Sequence, residues 1–146
     1  MENLTPIGKV FHAGTLAGNP LATAAGLAAL NELTQDVYME LGARARALST
    51  LLRDACLSAG IVAQFPVVGT LVGAFFGPNT PTNFDEAKQT DEKMYARLFH
   101  AMLAEGVALA PGAYEALFVG LGHTDSVMQQ LAERTERAAH AAVRAQ

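Results

Sequence analysis

A threonine in a glycine-rich segment lies just ahead of a strong helix start near the beginning of this chain. Residues 10–20 read VFHAGTLAGNP, in which Gly14 precedes Thr15 and Asn19 precedes Pro20. Asparagine is a preferred N-cap residue, and proline suits the first helical position because its missing N–H would have no intrahelical partner. Free backbone N–H groups and a hydroxyl close to a helix start are typical of an anion site. The segment is compatible with such a site and equally with an ordinary capped loop.

Other side chains that could do chemistry are scattered. No two of the histidines, at positions 12, 100, 123 and 140, stand with a cysteine or carboxylate at a spacing typical of a metal site. No serine–histidine or cysteine–histidine pattern can be identified. Cys56 lies in a helical pattern without an adjacent basic residue, which is typical of a small buried apolar side chain. We therefore expect neither a metal site nor a nucleophilic centre.

The composition narrows the possible partners. The chain has 146 residues, of which 51% are hydrophobic, and its formal net charge is −4 at pH 7. This charge argues against nucleic acid or an anionic membrane as a partner. No apolar run reaches the roughly 18 residues of a membrane span, and no secretory signal is visible. The single cysteine cannot form an internal disulfide, which suits a reducing compartment. We therefore expect a cytoplasmic protein.

Helices must position the segment around Thr15 and the rest of the core. Apolar residues at helical spacing and residues typical of helix ends predict four helices, over 20–33, 37–60, 91–105 and 124–144. Gly60 and Gly106 are placed to end the second and third of them. Small residues crowd the stretch 13–29, so we expect that face to be covered by another protein body.

Short apolar runs between the helices predict strands. These runs span 61–65, 70–76, 107–110 and 116–121. Together with the helices they predict an α+β fold, with a small, mainly antiparallel sheet of three to four strands covered by helices. Residues 1–12 are predicted to form an extended leading segment, because Pro6 and Gly8 interrupt any helix. Residues 13–146 are predicted to form one small domain.

Five segments resemble, in order, the class III aminotransferases of fold type I, which use pyridoxal 5′-phosphate (PLP). Residues 13–20 resemble that family's AGT-x-x-GNP segment. Residues 69–76 (GTLVGAFF), 83–88 (NFDEAK), 97–107 (RLFHAMLAEGV) and 110–119 (APGAYEALFV) resemble further family segments. These segments are spread over nearly the whole chain, and their common order makes the resemblance far more specific than one motif.

The resemblance implies the C-terminal small domain of a fold-type I PLP enzyme. In that family, the lysine that forms a Schiff base with PLP and the acidic partner of the pyridinium nitrogen lie on a preceding large domain. The lysines here are Lys9, Lys88 and Lys93, and none lies in the family's lysine motif. We therefore expect this chain to lack the cofactor-bearing large domain, to contain no catalytic residue, and to be inactive alone.

The resemblance favours the aminomutase subgroup. Most class III enzymes bind the substrate carboxylate through a late arginine, which residues 114–124 lack. The implied enzyme is a PLP-dependent isomerase that makes 5-aminolevulinate for tetrapyrrole (porphyrin) biosynthesis. The chain departs from the family at His12, Ala17, Gly112 and Gly120, where glutamine or serine is frequent. A different class III aminotransferase, or a non-catalytic interaction module with this fold, remains an alternative.

The resemblance also implies particular site residues and partners. Gly14 and Thr15 match the pair that reaches across a homodimer to the PLP phosphate of the other subunit. Glu115 matches an acidic residue near the substrate amino groups, where a carboxylate could steer an ammonium. A local loop hydrogen bond for Thr15 and a solvated strand-edge carboxylate for Glu115 are the alternatives. The implied partners are the large domain, a second subunit and a small amino substrate.

Overall fold

The computed structural model describes residues 1–144, and their fold is α+β. The chain divides into two compact units, Met1–Val37 and Tyr38–Gln146. The proposed domain start at residue 13 stays a prediction. Within the described residues, no helix is long and apolar enough to cross a membrane.

The first unit consists of turns followed by one helix. Residues 1–12 are closed into turns by an isolated bridge between Leu4 and Val10. Helix α1 spans Pro20–Glu32. The Asn19 side chain accepts hydrogen bonds from the N–H groups of Leu21 and Ala22, at 3.0 and 3.2 Å. The predicted N-cap is therefore confirmed. Helix α1 buries none of its residues.

Helix α2 runs over Gln35–Ser58 and carries one apolar face into the core of the second unit. That face includes Ala45, Leu48, Leu52 and Cys56, all of them buried. The helix ends at the predicted glycine, because Gly60 adopts a φ of 75° that other residues rarely take. Ile61 then donates its N–H back to the Cys56 carbonyl at 2.8 Å.

Five two-residue strands form two antiparallel sheets in the described residues. They are β1 (Ala63–Gln64), β2 (Val67–Val68), β3 (Leu71–Val72), β4 (Phe75–Phe76) and β5 (Leu117–Phe118). Strand β1 pairs with β4, and a separate sheet has the order β2-β3-β5. In the second sheet Val72 lies opposite both Val67 and Leu117.

Two of the strand predictions need correction. The run 70–76 is not one strand, because Leu71–Val72 (β3) pairs with β2 and β5 whereas Phe75–Phe76 (β4) pairs with β1 in a different sheet. The run 107–110 is not a strand, because it pairs with no neighbouring strand in the described residues. Apolar runs alone do not specify which segments will lie side by side.

Three further helices complete the second unit. Helix α3 is Phe84–Ala87, α4 is Glu92–Ala104 and α5 is Asp125–Arg144. Helix α4 begins as predicted, because the Asp91 carboxylate accepts from the Met94 N–H at 2.9 Å. It ends at Gly106, which has a φ of 75°.

The core of the second unit lies between α2, α4, α5 and the sheets. Leu52, Leu98 and Met102 are its largest fully buried apolar side chains. The Phe76 ring meets the rings of Phe65 and Tyr95 edge-on, at centroid distances of 6.3 and 6.0 Å. Strand β4 is thereby fixed to α4.

Removing one buried hydroxyl should stabilise the chain. Thr135 on α5 is fully buried, and its Oγ1 has no hydrogen-bond partner in residues 1–144. We expect Thr135→Val to raise the free energy of unfolding in urea by about 1 kcal/mol, because the unsatisfied hydroxyl is replaced by a methyl group. Thr135→Ser keeps the hydroxyl and loses the methyl, so it should lower that free energy by about 1 kcal/mol. A Thr135→Val variant less stable than the parent chain would contradict this account.

Candidate functional site

The first candidate site is the turn around Gly14 and Thr15 in the first unit. The Gly14 carbonyl accepts from the Ala17 N–H at 3.0 Å, and the Leu16 carbonyl accepts from the Asn19 N–H at 3.0 Å. Thr15 is exposed. Neither its hydroxyl nor the N–H groups of Thr15 and Leu16 form a hydrogen bond within residues 1–144. The turn thus leaves adjacent donors available to a ligand.

Two N–H groups at the start of α1 are engaged by the N-cap side chain. Asn19 Oδ1 already accepts from the N–H groups of Leu21 and Ala22. An anion held here would therefore rely on the Gly14–Thr15 turn more than on the first N–H groups of the helix. A phosphate fits a turn with one hydroxyl and free backbone N–H groups, because each of its oxygens is a strong acceptor.

The second candidate site is a tight turn in the second unit that ends at Glu115. The Glu115 N–H donates to the Gly112 carbonyl at 3.2 Å, and the Gly112 N–H donates to Glu115 Oε1 at 3.0 Å. Glu115 is exposed, and its Oε2 forms no hydrogen bond within the described residues. The carboxylate is thus held at one oxygen and open at the other.

Two tyrosines fix the chain on either side of this turn. The Tyr95 hydroxyl donates to the Ala110 carbonyl at 2.5 Å. Burial, and then the negative charge of Glu115, raise the pKa of Tyr95. The Tyr114 hydroxyl donates to Glu92 Oε1, and this hydrogen bond to a carboxylate raises the pKa of Tyr114. The Tyr114 ring also lies edge-on to Phe84, with the centroids 5.6 Å apart.

A cavity of about 670 Å³ lies beside the Glu115 turn. Its walls are mainly apolar and come from α2, α4, β5 and α5, with Leu52 and Met102 among them. Ala110 and Ala116, which flank the turn, both line it, whereas Glu115 does not. The turn therefore lies at the rim of the cavity. No sequence pattern predicted this cavity, because its walls come from elements that are distant in the chain.

The loop that follows β5 is held by an arginine that sequence reasoning missed. Arg44 Nη1 donates to the carbonyls of Leu121, at 2.9 Å, and His123. Its Nη2 contacts the Glu40 carboxylate, one helical turn away on α2. Arg44 thus ties α2 to the loop that leads into α5. Its role here is structural, since its guanidinium bonds backbone carbonyls and the Glu40 carboxylate.

The candidate site residues belong to different units of the chain, and Lys88 is occupied by an ion pair. Gly14 and Thr15 share one turn of the first unit, and Glu115 belongs to the second. Lys88 pairs with the Asp85 carboxylate at 2.7 Å and lies over the Phe84 ring.

Cys56 and Ser58 are of residue types that can act as nucleophiles. Cys56 is buried, as predicted, and burial raises its pKa to about 12. Ser58 Oγ lies 3.3 Å from His140 Nε2, a pair 82 positions apart that spacing could not suggest. No carboxylate bonds this histidine in residues 1–144.

The tyrosine contacts make a prediction about alkaline pH. A raised pKa in the folded chain means that folding favours the protonated tyrosine. Its contribution to stability is fully present below the ordinary pKa near 10 and is lost as the pH rises through the raised value. We expect tyrosinate absorbance to develop at higher pH in the folded chain than in urea, and Tyr114→Phe to remove part of that late rise. Identical titrations in the folded and unfolded chains would contradict the Glu92 contact of Tyr114 and the burial of Tyr95 near Glu115.

Curated relatives match almost the whole chain, although no protein-family model matches it. Glutamate-1-semialdehyde 2,1-aminomutase of Limosilactobacillus reuteri is 36% identical over 99% of this chain and 33% of its own length. The enzyme of the same name from Desulfosudis oleivorans is 42% identical over 97% of the chain, and that of an Acidovorax species is 45% identical over 86%. These matches cover 32% and 29% of those two relatives. The chain thus spans about a third of the length of the relatives it matches.

Solved structures share the fold. A β-phenylalanine aminotransferase from Variovorax paradoxus matches 88% of this chain and 30% of its own, with a TM-score of 0.72 and 26% identity. The PLP internal aldimine form of the FumI protein of Sphingopyxis sp. MTA144 matches 93% of this chain and 30% of its own, with a TM-score of 0.69 and 24% identity. The predicted resemblance is confirmed. Nearly the whole of this chain is similar to a segment that makes up about a third of each glutamate-1-semialdehyde 2,1-aminomutase, and the chain shares the fold of PLP-dependent aminotransferases.

Proposed function

We propose that this chain acts as the small domain of a glutamate-1-semialdehyde 2,1-aminomutase, which makes 5-aminolevulinate for tetrapyrrole biosynthesis. The observation that carries the proposal is the similarity to six curated relatives of that name, at 36% identity over 99% of the chain in one case and 42% over 97% in another. The proposal includes a cytoplasmic homodimer in which a large domain supplies the Schiff-base lysine.

In this proposal the Gly14–Thr15 turn binds the phosphate of PLP held by the other subunit. PLP, when bound, would supply an electron sink for negative charge that develops on the amino-bearing carbon of the substrate. The Thr15 hydroxyl and the N–H groups of Thr15 and Leu16 are free to donate to phosphate oxygens. The role of the turn is therefore to anchor the cofactor and to fix its orientation.

Glu115 has a different task in the same proposal. Its exposed carboxylate attracts and orients the ammonium groups of an amino substrate. The aminomutase reaction moves an amino group between neighbouring carbons, so an acceptor near both nitrogen positions can keep the substrate in place. Glu115 binds and orients and takes no covalent part.

Exposed apolar surfaces in each unit support a larger assembly. On α1, Leu21, Leu27 and Leu30 are exposed, and that helix carries one charged residue, Glu32. In the second unit, Val68 and Phe118 are exposed on either side of Leu71, in one row across the β2-β3-β5 sheet. A sheet that is apolar on both faces is typical of one covered on both faces. The large domain and the second subunit are the proposed covers.

A different class III aminotransferase is the second candidate. The structural likeness to a β-phenylalanine aminotransferase favours it, with a TM-score of 0.72. The sequence likeness favours the aminomutase, with 45% identity in one relative against 26% for that aminotransferase. Turnover of glutamate-1-semialdehyde without a second amino donor or acceptor distinguishes an isomerase from a transaminase.

The first functional prediction concerns the chain by itself. Since none of Lys9, Lys88 and Lys93 lies in the family's lysine motif, we expect no 5-aminolevulinate when the chain is incubated with PLP and glutamate-1-semialdehyde. Product is measured by a pyrrole-forming colour reaction, with the PLP-loaded Acidovorax relative as the positive control. Sustained product formation by the chain would show that one of its own lysines suffices. It would contradict the proposal that a large domain supplies the Schiff-base lysine.

The second functional prediction concerns Thr15 in a full-length enzyme that contains this sequence. Thr15→Ala removes one hydrogen bond to a charged phosphate, worth on the order of 1.5–3 kcal/mol, and should raise the PLP dissociation constant roughly ten- to a hundredfold. Backbone donors remain, so binding should weaken without vanishing. Thr15→Ser keeps the hydroxyl and should lose much less.

The matched control for that experiment is Thr23→Ala on α1. The Thr23 hydroxyl donates to the carbonyls of Asn19 and Pro20, so the same substitution there removes no free donor. We expect an unchanged PLP dissociation constant for this variant. Equal PLP dissociation constants for the parent enzyme and Thr15→Ala would show that the Thr15 hydroxyl does not bind the phosphate.

A further inference from the structure

We infer, on the basis of the proposed role of Glu115, that Gly112 is a positioning residue: its N–H fixes one oxygen of the Glu115 carboxylate, and the absence of a side chain at 112 makes room for that carboxylate. The other oxygen then faces the ammonium group of a primary amine. Neither the sequence pattern nor any relative's name assigns a role to Gly112.

The geometry ties the two residues together twice. The Gly112 N–H donates to Glu115 Oε1 at 3.0 Å, and the Glu115 N–H donates to the Gly112 carbonyl at 3.2 Å. The second bond closes the backbone turn, and the first folds the side chain back onto it. A hydrogen bond to an ionised carboxylate is stronger than one between neutral groups. The pair therefore restrains a side chain that would otherwise sample several rotamers in solvent.

A glycine is needed for this arrangement because of space. A Cβ placed on residue 112 would lie 2.6 Å from Glu115 Oε1 and 3.4 Å from its Cγ and Cδ. The contacted atoms belong to the end of a flexible side chain, so an alanine at 112 would displace the carboxylate and leave the backbone in place.

The rest of the loop is held independently of Gly112. Tyr114 is anchored through its hydroxyl to Glu92 and through its ring to Phe84. Tyr95 fixes the Ala110 carbonyl on the other side of the turn. With both flanks fixed, a change at residue 112 acts on the Glu115 side chain. Glu115 Oε2 has no hydrogen-bond partner in the described residues and remains open to an ammonium group.

The first arm of the test uses the 146-residue chain and amide NMR. In the parent chain, we expect the Gly112 amide resonance to shift as the pH is lowered through the range in which carboxylates are protonated. Glu115→Gln should abolish that shift, and Gly112→Ala should abolish it at residue 112 while the remaining spectrum is preserved. The matched control is Gly122→Ala, since a Cβ there meets nothing within 4 Å. A Gly112 amide that does not respond to Glu115 overturns the inference.

The second arm uses the PLP-loaded full-length enzyme. Gly112→Ala and Glu115→Gln should each raise KM for the amino substrate roughly tenfold, with the PLP dissociation constant unchanged, and Gly122→Ala should change neither. If Glu115→Gln raises KM and Gly112→Ala does not, the positioning role of Gly112 is overturned. If the amide arm succeeds and Glu115→Gln leaves KM unchanged, the substrate role of Glu115 in the proposed function is the part that fails.

Discussion

Close packing of α5 against α4 is the constraint on which the second unit depends. Helix α5 presents Ala138, Ala139 and Ala142 to the core, all fully buried. Small side chains let two helices approach closely, and bulky residues of the facing helix then fill the space between them. Helix α4 packs against α5, and its buried residues include Leu98 and Met102. A larger side chain at any of the three alanines would push α4 away from its place beneath the sheets.

The position of α4 in turn fixes the Glu115 turn. Arg134 of α5 donates to the Glu105 carbonyl at 2.8 Å, where α4 ends, so the start of the following segment is set by the helix pair. Tyr95 then holds that segment at Ala110, and Glu92 holds Tyr114. Each of these contacts begins on α4 or at its end. The carboxylate of Glu115 thus owes its position to helix packing as well as to its own loop.

Local signals in the sequence predicted the helices well, and pairing between distant segments limited the rest. Asn19, Asp91 and Gly60 mark helix ends through contacts with residues up to four positions away, which lie close together in the sequence. Strand formation at 107–110 depended on a partner that the fold does not supply there. The prediction of an α+β fold was nevertheless correct, because it depends on the number and order of helices and strands and not on each strand.

Some features of the candidate sites could be predicted from the sequence, and others could not. Thr15 and Glu115 were identified through ordered resemblance, since neither lies in a pattern that specifies chemistry alone. The Arg44 contact with Leu121 joins residues 77 positions apart, which no local pattern encodes. The room that Gly112 leaves depends on the conformation of the Glu115 side chain, which the residue types alone do not specify. Such contacts decide how a carboxylate is presented, whereas the residue type decides only its charge. The position of the Glu115 carboxylate therefore depends on the space left at residue 112, because a Cβ there would lie 2.6 Å from Glu115 Oε1.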